Sequence, residues 1–238
     1  MKTLADIQKI TVLGAGTMGP GIAQTYAMGG YQVTMWTRSE KTRDKAIAAL
    51  HSQLETFAQE GECAIAGVDG TAAELNVKFL NPAGAKTGKL LPTGTCVETL
   101  EIPGFGPIEA TILDVSNPMV LVKAEDIGMT GTELPEEVNS NNEVSDLLEK
   151  IRGVACCKMG FAKDLKDATE NSPAVPKVGF VTVPKSYTDI AGQQVSAEDM
   201  DVCARVISVF KCHKACPLTS ASAISVAAAM EGCRGKAV

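Results

Sequence analysis

Residues 79–94 read FLNPAGAKTGKLLPTG. Two prolines, three glycines and two lysines stand there, between a short alternating run and the next apolar segment. Proline removes an N–H and glycine relaxes the backbone, so this density forbids a helix and demands a tightly turned loop. Gly84, Gly88 and Gly94 let backbone N–H groups turn inward, and Lys86, Lys89, Thr87 and Thr93 add ammonium and hydroxyl donors. That donor set suits a small polyanion such as a di- or tricarboxylate. The same composition also suits a solvated linker with two surface lysines.

Downstream of the loop the pattern is β-rich. Glu74–Leu80 alternates ahead of it, and Cys96–Ile102, Ile108–Val115, Met119–Ala124 and Val178–Val183 read as strands, with turns at Pro103-Gly104 and Asn117-Pro118. Asn141–Lys158 reads as a helix whose buried stripe is Val144, Leu147, Leu148, Ile151 and Ala155, ended by Gly160. Ser196 and Asp199 are spaced as a capping box, which predicts a helix running through Lys211. Thr219–Met230 is rich in Ala and Ser and apolar nearly all round, which predicts a closely buried helix.

Upstream, Lys9–Leu13 (KITVL) leads straight into Gly14-Ala15-Gly16-Thr17-Met18-Gly19, followed by a helical stretch to Gly30 and a second strand, Tyr31–Trp36. Strand, GxGxxG, helix, strand is the context of a dinucleotide fingerprint. Gly14 would permit the tight turn, Gly16 the approach of a pyrophosphate, and Gly19 close packing of helix on strand. The alternative is a glycine-rich turn that binds nothing. An NAD site expects a carboxylate at the end of the second strand; here Thr37 and Arg38 stand, so a bound dinucleotide would be NADP. Ser39–Gly61 reads as an amphipathic helix, with His51 either satisfied or solvent-facing.

Composition bounds the function. At 238 residues the chain has room for one large domain or two small ones, and 45% apolar with 21% charged residues is ordinary for a globular protein. A net charge of −6 without a basic cluster argues against nucleic acid. Eight irregularly spaced cysteines with no signal peptide argue against a secreted disulfide framework, and the glycine-broken run from Ile10 to Ala27 is no membrane span. The expected location is the cytoplasm. Cys212-His213-x-x-Cys216 does not have the spacing of a zinc knuckle, so no metal is assigned.

Four runs carry a resemblance: AGVDGTAAELNVKFLNPAGAKTGKLLPTG, NPMVLVKAEDIGMTGTEL, LEKIRGVACCKMG and VSAEDMDVCARVISVFKCHKACPLTSA. In order and spacing they resemble the PrpF-type family of 2-methylaconitate cis-trans isomerases, methylitaconate isomerases and 4-oxalomesaconate tautomerases. The resemblance implies an α/β fold in which an epimerase-like mixed sheet (the diaminopimelate epimerase type) wraps around a central helix. It implies proton transfer on an unsaturated tricarboxylate, a small carboxylate partner and no required cofactor. Lys86, Thr87, Gly88, Lys89 and Thr93 match the family's Gly/Lys loop, and His213 and Thr219 match the turn before its buried helix. The family's acid/base work is attributed to a lysine and a cysteine in its N-terminal half. No residue here matches that pair, so catalytic residues stay unassigned and weak or absent turnover is expected.

Residues 7–61 instead resemble the N-terminus of 3-hydroxyacyl-CoA dehydrogenases. The expectation is therefore a chimera: a partial Rossmann βαβα segment over 1–61 with Gly14, Gly16, Gly19, Thr37 and Arg38 as cofactor-binding residues, joined to a partial isomerase domain over 62–238. An NADP-dependent oxidoreductase and a non-catalytic truncated or chimeric chain are the alternatives.

Overall fold

In the computed structural model, which describes residues 7–16, 18–57, 61–64, 70–74 and 79–233 (backbone alone over 53–57), the β-branched run KITVL forms β1 (Lys9–Leu13). Two units divide the chain, Met1–Lys78 and Phe79–Val238. In the first, α1 (Gly19–Met28) connects β1 to β2 (Gln32–Trp36), and the two strands pair in parallel from Lys9↔Gln32 to Leu13↔Trp36. A parallel pair needs such a crossover, because a tight turn cannot return the chain in the same direction. The long helix α2 (Glu40–Phe57) packs on α1. Val12, Ala15, Ala23 and Ala46 are buried, whereas Leu13, Met28 and Trp36 stay exposed.

The second unit is built on a six-stranded sheet of order β10-β9-β6-β5-β4-β3. Its strands are β3 (Glu98–Ile102), β4 (Gly106–Val115), β5 (Asn117–Lys123), β6 (Lys177–Thr182), β9 (Cys203–Ser208) and β10 (Lys211–Cys212). A small hairpin, β7 (Tyr187–Thr188) with β8 (Gln194–Val195), stands apart from it. All neighbours in the large sheet are antiparallel except β5 and β6. That one parallel contact is bridged by α3 (Pro135–Ser140), α4 (Asn142–Lys158) and α5 (Leu165–Asn171).

Helices cover both faces. Along β4 the alternation of a strand sends Ile108, Ala110 and Ile112 to one side, where they pack with Val144, Leu148, Ile151 and Ala155 of α4. Leu113 and Val115 point the other way, onto Ala223, Ile224 and Ala227 of α6 (Leu218–Ala229). Burial on both faces explains why β5 and β6 read as continuous apolar runs.

Three expectations are corrected. The helix predicted from Ser196 through Lys211 does not form. Ser196 caps only a single 3-10 turn, Ala197–Asp199, and the following residues are strands β9 and β10. The apolar positions Met200, Cys203 and Ile207 fit a helical period, but edge pairing of Cys203–Ile207 with β6 outweighs that weak amphipathicity. Asn117 and Pro118 belong to β5, and the turn is Ser116 alone, at φ 60°. Pro118 is tolerated because its partner Asp114 sends its N–H and C=O away from β5. Third, α6 is buried on one side only: Leu218 and Ser225 are exposed. Of the alternating run Glu74–Leu80, residues 75–78 lie outside the described ones, and Phe79 and Leu80 are not in a strand.

Candidate functional site

Strand β3 is shorter than β4 and pairs with it only as far as Glu98↔Ala110. The remaining edge of β4 is taken by the Gly/Lys loop. The Gly84 N–H donates to the Asp114 carbonyl at 2.8 Å, the Asp114 N–H to Leu90 O at 2.9 Å, and the Ser116 N–H to Pro82 O at 2.7 Å. Leu90 and Leu91 then dip into the α6-side core. Gly84 has no room for a side chain: at φ +71° a Cβ would stand 2.6 Å from the Gly88 carbonyl carbon.

The inward-turned donors of this loop meet a carboxylate of the chain itself. Asp114 is fully buried. Its Oδ2 accepts from the Lys86 N–H at 2.7 Å, the Thr87 N–H at 2.7 Å and the Thr87 hydroxyl at 3.0 Å. Among the described residues its Oδ1 has no donor. The backbone nest that suits a polyanion is therefore filled from beneath, and what the loop offers outward is its side chains. Lys86 and Lys89 are exposed, and neither ammonium is in an ion pair among the described residues. Thr93 is half-buried and Gly88 is exposed.

Asp114 is the residue that sequence reasoning missed. A signal existed: a lone charge inside the strand ATILDV, at a position where the strand is otherwise apolar on both faces. A buried charge requires partners, and the nearest dense source of free N–H groups is the loop.

His213 follows β10, and its N–H donates to Val206 O at 2.9 Å. Burial of part of the ring, helped by the Lys177 ammonium, holds its pKa below the ordinary imidazole value. Desolvation pushes the neighbouring thiols of Cys212 and Cys216 up. Thr219 sits in the first turn of α6, beside Ser220, whose buried hydroxyl is unpartnered. The loop and α6 share one core cluster, so the fold brings those two elements together. His213 stands apart: β10 and β4 lie at the same end of the sheet but four strand spacings apart, roughly 19 Å.

A cavity of about 260 Å³ opens on the α4 side, floored by Val138, Leu148, Val178 and Ile207 and edged by Glu149 and Arg152. None of the residues selected from sequence lines it.

In the N-terminal unit the glycine-rich run leads from β1 into α1. Gly14 sits at φ +111°, and a Cβ on Gly19 would stand 2.1 Å from the Gly14 carbonyl oxygen, so only glycine fits. Gly16 faces open space. Thr17 lies outside the described residues. At the end of β2, Thr37 is half-buried and Arg38 exposed.

Comparison with known proteins gives one consistent family. The model of the PrpF protein family matches residues 32–238, so it takes in β2 and α2 as well as the whole second unit. The 3-methylitaconate isomerase of Eubacterium barkeri is 41% identical over 173 residues, covering 72% of this chain and 45% of that protein. The 2-methyl-aconitate isomerase of Shewanella oneidensis is 39% identical over 177 residues, covering 73% and 44%. A crystal structure of methylitaconate-delta-isomerase superposes with a TM-score of 0.69 at 39% identity, covering 74% of this chain and 46% of that one. The chain thus spans less than half the length of these relatives.

Proposed function

The chain belongs to the PrpF family, and from that premise we propose that it serves an isomerase that moves a double bond, or changes cis-trans geometry, in an unsaturated tricarboxylate of the aconitate or methylaconitate type by proton transfer. The observation that carries this reading is the pair of unpaired, exposed ammonium groups, Lys86 and Lys89, on a loop clamped at both ends to β4. A rigid support gives charged groups a fixed place at which to meet a polycarboxylate. Thr87, Gly88 and Thr93 shape the loop, and Thr219, on the helix that shares the loop's core, supplies a further polar contact, whereas His213, four strand spacings away, is left out of the site. Relatives that act on 3-methylitaconate, a dicarboxylate, and on 2-methyl-aconitate, a tricarboxylate, support an unsaturated polycarboxylate as the substrate class. No cofactor enters this chemistry.

Turnover by these residues alone is weak in this proposal. Allylic proton transfer needs an acid and a base on one carbon. Desolvation pushes the thiols beside His213 up, away from the reactive thiolate, and the lysines stand exposed rather than enclosed around one carbon. The test is an ultraviolet assay of cis-aconitate isomerisation, with Lys86→Ala alongside. Slow or absent turnover with weakened aconitate binding in the variant supports the proposal. Robust turnover abolished by Lys86→Ala overturns the weak-activity part and makes Lys86 a participant. Aconitate binding that ignores Lys86 overturns the site.

A second reading concerns the N-terminal unit alone. Open space at Gly16, with Gly19 packed on the Gly14 carbonyl, favours a phosphate-approach turn there, with Gly14, Gly16, Thr37 and Arg38 facing an NADP-type dinucleotide in the manner of a partial Rossmann unit. NADPH fluorescence enhancement on mixing would support it. Tighter binding of NADH than NADPH would reverse the role given to Arg38.

A further inference from the structure

The cavity on the α4 side lies across the sheet from the Lys86–Lys89 loop. Its floor of Val138, Leu148, Val178 and Ile207 belongs to one core, whereas Leu90 and Leu91 of the loop pack into the other. Its volume is about 260 Å³. Drug-sized ligands fill pockets of about 300–1,000 Å³, so this one suits a compact molecule of a single ring or branched chain.

The β9–β10 turn forms part of the mouth. Val209 and Phe210 both line the cavity there, at φ 49° and 65°. A β-branched and an aromatic residue resist that left-handed backbone, and neither is compensated by burial within the chain. Strained positions of this kind gather at ligand clamps. A molecule seated against the two side chains would supply the burial that the fold withholds.

The rim decides the charge of that molecule. Its guanidinium and hydroxyl donors are already engaged. Arg152 donates to both Glu149 carboxylate oxygens and to Ser172 O, the Thr169 hydroxyl to Glu149 Oε1 at 2.7 Å, and the Ser145 hydroxyl to Val138 O at 3.3 Å. Asp146 also lines the cavity, is exposed, and enters no ion pair among the described residues. Lys177 and Lys211 adjoin the lining residues Val178 and Cys212 in the chain, but strand alternation turns them to the opposite face. What the rim leaves unpaired is therefore negative.

We propose that this cavity is a binding site for a small organic cation, an ammonium group carried on a compact apolar body. The body rests on Leu148, Val178 and Ile207, and the Phe210 ring covers it at the mouth, where an aromatic face also favours a cation. The ammonium meets the Asp146 carboxylate. An anion of the same size would face Asp146 and Glu149 with the Arg152 guanidinium already taken.

The experiment is isothermal titration calorimetry of the full chain with 2-phenylethylammonium, beside two probes of similar size, 2-phenylethanol and phenylacetate. The expected result is saturable one-to-one binding of the ammonium with a dissociation constant on the order of 1 mM, weaker binding of the alcohol and none of the carboxylate. Asp146→Asn should weaken the ammonium about three- to fivefold and leave the alcohol unchanged. Val209→Asn with Phe210→Gly, which relaxes the turn and removes the cover, should weaken both. A chain that shows no saturable ammonium binding overturns the proposal. So does phenylacetate bound as tightly as the ammonium, or an ammonium affinity untouched by Asp146→Asn or by the turn variant. Should the turn variant fail to fold, the exposed Asp146→Asn change and the ranking of the three probes decide.

Discussion

The Asp114 carboxylate accepts the main-chain N–H of Thr87 at 2.7 Å, and this contact turns a presumed anion cradle into a clamp. A Gly/Lys loop in isolation looks like a place where backbone donors wait for a ligand. Here the fold supplies the anion: Asp114 commits its carboxylate, its N–H and its C=O to residues between Gly84 and Leu90. Lys86 and Lys89 are held outward as a consequence, and the specificity of the surface rests on their side chains.

Asp114→Ala should therefore release the loop. It removes three donor contacts to a charged oxygen and leaves two N–H groups without partners, a loss of about 2–4 kcal/mol. Denaturant titration reads the loss. Limited trypsin digestion reads its location, because cleavage after Lys86 and Lys89 should become much faster than at other lysines. An unchanged cleavage rate at those two sites would show that Asp114 does not hold the loop.

Much of this fold was legible because its strands and helix α4 obey simple periods. Of the predicted α4 stripe, Val144, Leu148, Ile151 and Ala155 are buried and Leu147 only partly so, and the runs around β4, β5 and β6 are apolar because both their faces are covered. The family was legible too, since long ordered runs such as the Gly/Lys loop carry it. What escaped depends on long-range contact. Asp114 looked like a stray charge in a strand, and only its partners more than twenty residues away give it meaning. The β9–β10 hairpin escaped for a different reason: nothing in its turn residues announces a turn.

Acid should weaken the second unit through two carboxylates. Hydrogen bonding from the Lys158 ammonium, then from the Thr95 hydroxyl at 2.6 Å, lowers the Glu98 pKa. Burial pushes Glu133 up, but the Thr130 N–H and hydroxyl and the Gly131 N–H prevail and lower it. A carboxylate with a folded pKa below its unfolded one adds stability that is complete above the unfolded value, near 4.5, and disappears as pH falls through the folded one. The urea midpoint should hold steady above that value and drop below it, with a shallower drop in Glu133→Gln. A midpoint indifferent to pH across this window would refute the assignment.

Arg152 and Glu149 make the most buried ion pair among the described residues, with the guanidinium inside and the carboxylate partly exposed. The guanidinium, with 3% of its side chain exposed, reaches Glu149 through Nε at 2.6 Å and Nη2 at 2.5 Å, and its Nη1 donates to Ser172 O at 2.8 Å. Removing the carboxylate strands the buried guanidinium: Glu149→Ala should cost about 3–5 kcal/mol in denaturant unfolding. Replacing both, as Arg152→Met with Glu149→Leu, should recover most of that loss because no charge is left buried. A double variant no more stable than the single one would mean that the pair contributes shape rather than charge.

The tip of the β9–β10 hairpin should be improvable. Ser208 pairs with Lys211, so Val209 and Phe210 are the two turn residues, at φ 49° and 65°. That left-handed geometry suits Asn-Gly and opposes β-branched and aromatic residues, whose side chains crowd the backbone there. Neither residue gains compensating burial, since Val209 is 51% and Phe210 46% exposed. Replacing them with Asn-Gly removes two strained positions and should raise stability by about 1–2 kcal/mol. The same change makes the hairpin recognisable from sequence, as the original pair, flanked by apolar residues at helical spacing, does not. A lower melting temperature in the double variant would show that Val209 and Phe210 do work at the mouth of the α4-side cavity, which both of them line.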